Sequence, residues 1–185
     1  MIKRFYFMVV SGLITIGVIS FLGLITEGIA SENTDCGAGN VSKIKYADPV
    51  KDIHLYLNAF HIAKNNPDFE VEAHHYCSMR NLDVTGEDIH QCVIYDSNVA
   101  PAKLLGIEYI VSNNTYQALP AGEKKYWHPH AYEVISGQLI VPDLPDMGDA
   151  ALEGYIKSWG KTFHTWPDPG TDVPLGEPLL MWSAG

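Results

Sequence analysis

The chain has 185 residues, 46% of them hydrophobic, and a formal net charge of −10. That length and apolar content suffice for one ordinary domain with a hydrophobic core and exclude a disordered chain. The acidic balance offers no basic surface to displace counterions, which excludes nucleic acid as a partner and makes an anionic membrane face a poor one.

Met1-Ile2-Lys3-Arg4 is a short basic start, and Phe5 to Thr26 carries no charge. Gly28-Ile29-Ala30 then places small residues around a cut after Ala30. Residues 1–30 therefore read as a secretory signal peptide. The apolar run is also long enough to span a bilayer, so an N-terminal membrane anchor is the alternative. Either reading predicts an exported domain, periplasmic or extracellular, touching a membrane only through an uncleaved N-terminal segment. Residues 31–48 are small, polar and glycine-containing and read as a flexible linker. Residues 49–185 form the domain.

Asp48-Pro49 reads as a helix start, and Val50, Ile53, Leu57, Phe60 and Ala63 recur at helical spacing up to Asn65-Asn66-Pro67. On such a helix His54 and His61 share a face but lie too far apart to hold one ion. VEAHHYCSM and IHQCVIYDS flank a polar connection and read as an antiparallel hairpin. Alternation puts Glu72, His74 and Tyr76 on one face and His75 and Cys77 on the other. Cys77 and Cys92 then meet across the ladder as a disulfide, as two buried thiols, or as part of a Cys/His zinc site. KLLGIEYIVS reads as a strand, and NNTYQALPAGEKKYW as a short interrupted helix. HPHAYEVISGQLIVP reads as two strands about a turn at Gly137. DMGDAALEGYIKSWG reads as a helix ending near Gly160, followed by an aromatic strand, and Leu179-Leu180-Met181-Trp182 as an edge strand. Helices and strands mix without a repeated crossover, so the expected fold class is α+β, a mainly antiparallel sheet packed against a few helices in a single domain.

The chemistry is carried by histidine. His128-Pro129-His130 on a strand would point both imidazoles to one side, a common geometry for zinc or another transition metal; the alternative is an exposed loop histidine plus a capping one. Glu133 follows three residues on, and His164 lies among aromatics. No nucleophile elbow, phosphate loop or His-Glu-x-x-His occurs.

His54 to His61, Glu72 to Cys77, Gln91 to Ser97, Gly106 to Ser112, Trp127 to Glu133 and Gly160 to Trp166 together resemble the oil body-associated protein family, over about residues 50 to 183. The chain reads as an exported, bacterial-type member. The resemblance implies a domain with no established catalytic activity, associated in plants with seed oil bodies and their size and stability. It marks His54, His61, His74, His75, Glu108, His128, His130, Glu133 and His164 as metal- or ligand-binding candidates. His90 falls outside the pattern, the loop from Val84 to Glu87 is longer here, and the N-terminal segment departs from plant members. The expected function is a non-catalytic binding or lipid- or envelope-associated module with a His/Glu-rich site for a metal such as zinc, a small molecule or a lipid. The alternative is a metal-dependent enzyme with Glu108 or Glu133 as general base.

Overall fold

The computed structural model describes residues 45–82, 86–143 and 148–184. The expected signal or anchor over residues 1–30, and the linker up to residue 44, lie outside them. The described residues fall within one compact unit, Gly39–Gly185.

A four-residue helix, α1 (Asp48–Lys51), leads into β1 (Leu55–Ala63), β2 (Asn66–Asn81), β3 (Asp88–Tyr95) and β4 (Leu104–Ser112). Two short helices follow, α2 (Asn113–Ala118) and α3 (Ala121–Lys124). Then come β5 (His128–Pro129), α4 (Ala131–Ser136), α5 (Gly148–Tyr155), β6 (Ser158–His164) and β7 (Leu179–Ser183). The strands run β4-β3-β2-β1-β7-β6-β5 with every pair antiparallel, and β4 pairs back onto β6. Six strands thus close into a barrel, with the two-residue β5 added on β6. This corrects the expected α+β class: among the described residues no layer of helices covers a sheet, because the sheet covers itself. Closure leaves the interior as the core and removes the free edges an open sheet would present.

The largest correction is at β1. The segment expected as a long helix is a strand with burial alternating at every second residue. Leu57, Ala59, His61 and Ala63 face inward. Only α1 is helical, and Val50, which the helical reading put in the core, is exposed. The apolar positions fitted a period of 3.6, but Leu55 to Ala63 is equally a two-fold pattern, and β2 and β7 both pair with it. In the same way α4 replaces an expected strand. Its end is fixed by Gly137 at φ 76°, whose amide and those of its two successors bond back to Glu133 and Val134. The second expected strand there survives only as a bridge between Asn58 and Ile140. The last helix stops at Tyr155, before Gly160, which lies inside β6. The strand expected at an edge, β7, sits between β1 and β6.

The hairpin of β2 and β3 forms as expected. Cys77 pairs directly with Cys92 across it, and the two are joined by a disulfide with Cα atoms 4.1 Å apart. Two apolar clusters fill the barrel at different heights. One gathers Leu57, Ala59, Ile110, Leu139 and Tyr155 around the disulfide. The other is Val71, Ala73, Ile94 and Leu105. On β2, His75 stands between Ala73 of one cluster and Cys77 of the other, so a polar layer is sealed between two apolar plugs. No helix among the described residues is long and apolar enough to cross a membrane.

Candidate metal centre

The polar layer is assembled by strand register. Leu57 lies opposite His75, Cys92 opposite Glu108, Glu108 opposite Thr162, and Gly160 opposite both Ile110 and His128. Each pairing keeps both partners on the same face of the sheet, here the inner one. His61, His75, Glu108, His128, His130, Glu133 and His164 are all buried, none more than 2% exposed.

Glu108 is the hub. Its Oε2 lies 2.8 Å from His75 Nε2 and 3.4 Å from His61 Nε2. Its Oε1 lies 3.0 Å from His130 Nε2 and 3.6 Å from His128 Nε2. Burial works against charge on this carboxyl, but the ring nitrogens of His130, His61 and His75 more than offset it and hold it well below the usual carboxylate range. Around it, burial pushes His61 down and His128 well below an ordinary histidine, and His164 down to about 2. Burial, reinforced by the Glu108 charge, raises Glu133 well above the usual range.

The far nitrogens of two of these rings fix where their protons sit. His75 Nδ1 lies 3.0 Å from the Ala73 carbonyl, which can only accept, so His75 donates there. His130 Nδ1 lies 2.7 Å from Ser158 Oγ, whose own hydrogen goes to the Tyr155 carbonyl, so His130 donates as well. A neutral imidazole with its hydrogen on Nδ1 turns a lone pair out of Nε2. At both residues that lone pair faces a carboxylate oxygen about 3 Å away. Two lone pairs at that distance need a hydrogen or a metal ion between them: a hydrogen on the carboxyl, which serves only one of the two rings, a second proton on each ring, or a cation. Several imidazolium ions crowded around one carboxylate in a dry layer are a costly arrangement. A cation answers the same need once. An outward Nδ1–H on a carbonyl or hydroxyl with Nε2 turned inward is also how metal-ligating histidines are usually held.

Other buried polar atoms in this layer have no hydrogen-bond partner among the described residues: both ring nitrogens of His128, both carboxyl oxygens of Glu133, His164 Nδ1 and Thr162 Oγ1. His61 Nδ1 and His164 Nε2 share a proton at 3.1 Å, which makes His164 the residue that orients His61. The surrounding interior, lined by Leu57, Ala59, Ile110 and Leu139 with the polar groups, leaves no room for a water molecule. Gly160 completes the layer. A Cβ there would press against Glu108 Oε1 and lie 2.6 Å from His130 Nε2 and 2.7 Å from His128 Nε2. The absence of a side chain at this position lets the three donor atoms converge.

Of the residues singled out in the sequence, His61, His75, Glu108, His128, His130, Glu133 and His164 meet here. His54 and His74 do not. His54 is exposed in the turn before β1, with Nδ1 2.6 Å from the Asp52 carbonyl. His74 lies on the opposite face of β2, buried there and bonded to the Tyr56 hydroxyl at 2.7 Å. His90 is also apart, 3.2 Å from the Tyr155 hydroxyl. Ser158 and the part Gly160 plays in the site escaped the sequence reading, because the segment holding them read as the end of a helix. The period-2 pattern from Ser158 to His164 was the signal available.

The family described as "Protein of unknown function (DUF1264)" matches residues 47–185. Oil body-associated protein 1A of Zea mays is 42% identical over 135 residues, 72% of this chain and 55% of that protein. Oil body-associated protein 1B of Arabidopsis thaliana is 39% identical over 159 residues, 83% of this chain and 64% of that protein. Oil body-associated protein 2A of Zea mays is 38% identical and covers 84% of this chain and 59% of its own length. The chain spans between about half and two thirds of the length of these curated relatives. No solved structure matches it. The relatives bear out the resemblance and correct the expected location. They are plant proteins named for association with oil bodies, and an exported or membrane-anchored location finds no support among them.

Proposed function

We propose, from the premise that this chain belongs to the DUF1264 family, that its barrel is a metal-holding module. It holds first-row transition metal at Glu108, with ligands drawn from the Nε2 atoms of His61, His75, His128 and His130. The observation that carries this reading is the pair of fixed Nδ1 donors at His75 and His130, which leaves both Nε2 lone pairs aimed at the two oxygens of one carboxyl, Glu108. Imidazole with carboxylate suits zinc, iron, manganese or copper better than calcium or magnesium. The sealed layer supports a resident ion that braces the barrel, whereas an enzyme needs a coordination position open to substrate. Glu108, enclosed by four rings, acts as a ligand and not as a free base. The names of the relatives favour an oil-body or cytosolic setting for the holder.

The test is elemental analysis of the full chain, produced without a polyhistidine tag and incubated with zinc, iron, manganese and copper salts before exhaustive dialysis. The reading expects at least one retained ion per chain. It also expects loss of that ion in Glu108→Gln, with the β-rich circular dichroism spectrum unchanged. A folded wild-type chain that retains no ion from any of these salts overturns it.

A further inference from the structure

We propose that the centre holds two ions, each on its own oxygen of Glu108, which then bridges them. This rests on the metal-holding reading above and extends it to stoichiometry. The donor atoms fall into two sets that share only Glu108: His61, His75 and Glu108, and Glu108, His128 and His130, each mutually within 4.8 Å. The sets divide by oxygen. His61 and His75 approach Oε2, while His128 and His130 approach Oε1.

Within the first set the three edges measure 2.8 Å from His75 to Oε2, 3.4 Å from His61 to Oε2 and 3.3 Å between the two Nε2 atoms. Ligands bound at about 2.1 Å stand roughly 3.0–3.4 Å apart around one ion, so this triangle is the size of one face of a coordination shell. The second set is marked by Gly160. The point where its Cβ would lie is crowded by Oε1, His130 Nε2 and His128 Nε2 together. An ion beside Gly160 would also give His128, which has no hydrogen-bond partner on either ring nitrogen among the described residues, something to bind. A carboxylate that bridges through both oxygens holds two ions about 3.5–4 Å apart, the spacing of known two-metal centres. Glu133, buried against the same layer with both oxygens unpartnered, is the further carboxyl there that can offset the charge of a second ion.

The probes are copper and zinc on the full chain. Wild type is expected to hold two zinc ions per chain, and His75→Gln and His128→Gln one each. Loaded with copper(II), wild type is expected to show a weakened electron paramagnetic resonance signal, because two ions bridged by a carboxylate couple their spins. His128→Gln is expected to restore the signal of an isolated ion. A single ion in wild type, lost in both variants, overturns the bridged pair while leaving the metal-holding reading intact. No retained ion overturns both. Should either variant fail to fold, the wild-type zinc count still decides between one ion and two.

Discussion

Ser158 shows how much of the centre depends on a side chain that would touch no ion. Its hydroxyl takes the His130 Nδ1–H and passes its own hydrogen to the Tyr155 carbonyl, so it fixes both the tautomer and the tilt of the ring. Ser158→Ala is expected to weaken metal affinity about 10–100-fold, the usual cost of losing such a support, with the fold unchanged. A competition titration against a chromogenic chelator checks this, and unchanged affinity would show that His130 needs no such orientation. Much of this layer was legible in the residues. Strand alternation separated His75 from His74; His128 and His130 do both turn inward, although the strand they were read on ends at Pro129 and His130 caps α4. Other parts were hidden for physical reasons. The helical reading of β1 set His61 beside His54, whereas the strand sends His61 into the barrel and leaves His54 in a turn. Gly160 has meaning only once β4, β5 and β6 lie side by side, because what matters is the space its missing side chain leaves to groups distant in the chain.

Two local elements carry predictions of their own. The hairpin is cross-linked between Cys77 and Cys92 over a separation of 15 residues. A closed loop of that size stabilises by about 3 kcal/mol through the unfolded chain. The Cys77→Ala/Cys92→Ala double variant is therefore expected to lose about that much in urea unfolding. A loss near zero would mean that the hairpin stays ordered in the unfolded state. The second element is α2, whose start is held by Glu87 from across the β2–β3 connection. The Glu87 carboxylate accepts bonds from the hydroxyls of Ser112 and Thr115 and from the Asn114 amide. These bonds lower its pKa to about 2 from an ordinary 4.5. A depressed carboxylate contributes stability above its unfolded value and loses it as pH falls through its folded one. The contribution of Glu87 should be complete above pH 4.5 and vanish on acidification towards 2. Glu87→Gln is expected to flatten the acid limb of the unfolding curve in that window relative to wild type. Coincident curves would remove Glu87 from this role. Where the element readings failed, short apolar segments fitted two periods at once. Ala131 to Ser136 looked like a strand for its Val134 and Ile135, yet Ile135 is exposed and Glu133 faces inward on a helix. Tertiary pairing decides such segments, and it lies beyond the reach of periodicity.

At the scale of the whole molecule, antiparallel pairing was legible but closure was not. Nothing in the composition of β4 or β6 says that the sheet's two ends will meet. The point that permits it is Gly106, opposite His164. A Cβ there would drive into the Phe163 carbonyl and stand 2.8 Å from His164 Cα, both of them backbone atoms that cannot step aside. Gly106→Ala is expected to destabilise by about 1–3 kcal/mol or more, the range for overpacking a tight interior, and to lower the melting temperature accordingly. An unshifted melting curve would show that the β4–β6 seam is looser than it looks. The seam also has a consequence in time. The proposed ligands are drawn from position 61 to position 130, their supports reach His164, and the barrel closes by pairing β1 with β7 and β4 with β6. Such contacts close long loops, and proteins dominated by them refold in milliseconds to seconds instead of microseconds. Half-finished chains would offer scattered imidazoles with no common centre. After dilution from denaturant, a coordination band from added cobalt should therefore rise only with the slowest step that restores the native circular dichroism signal, so that ion capture times the moment the barrel shuts.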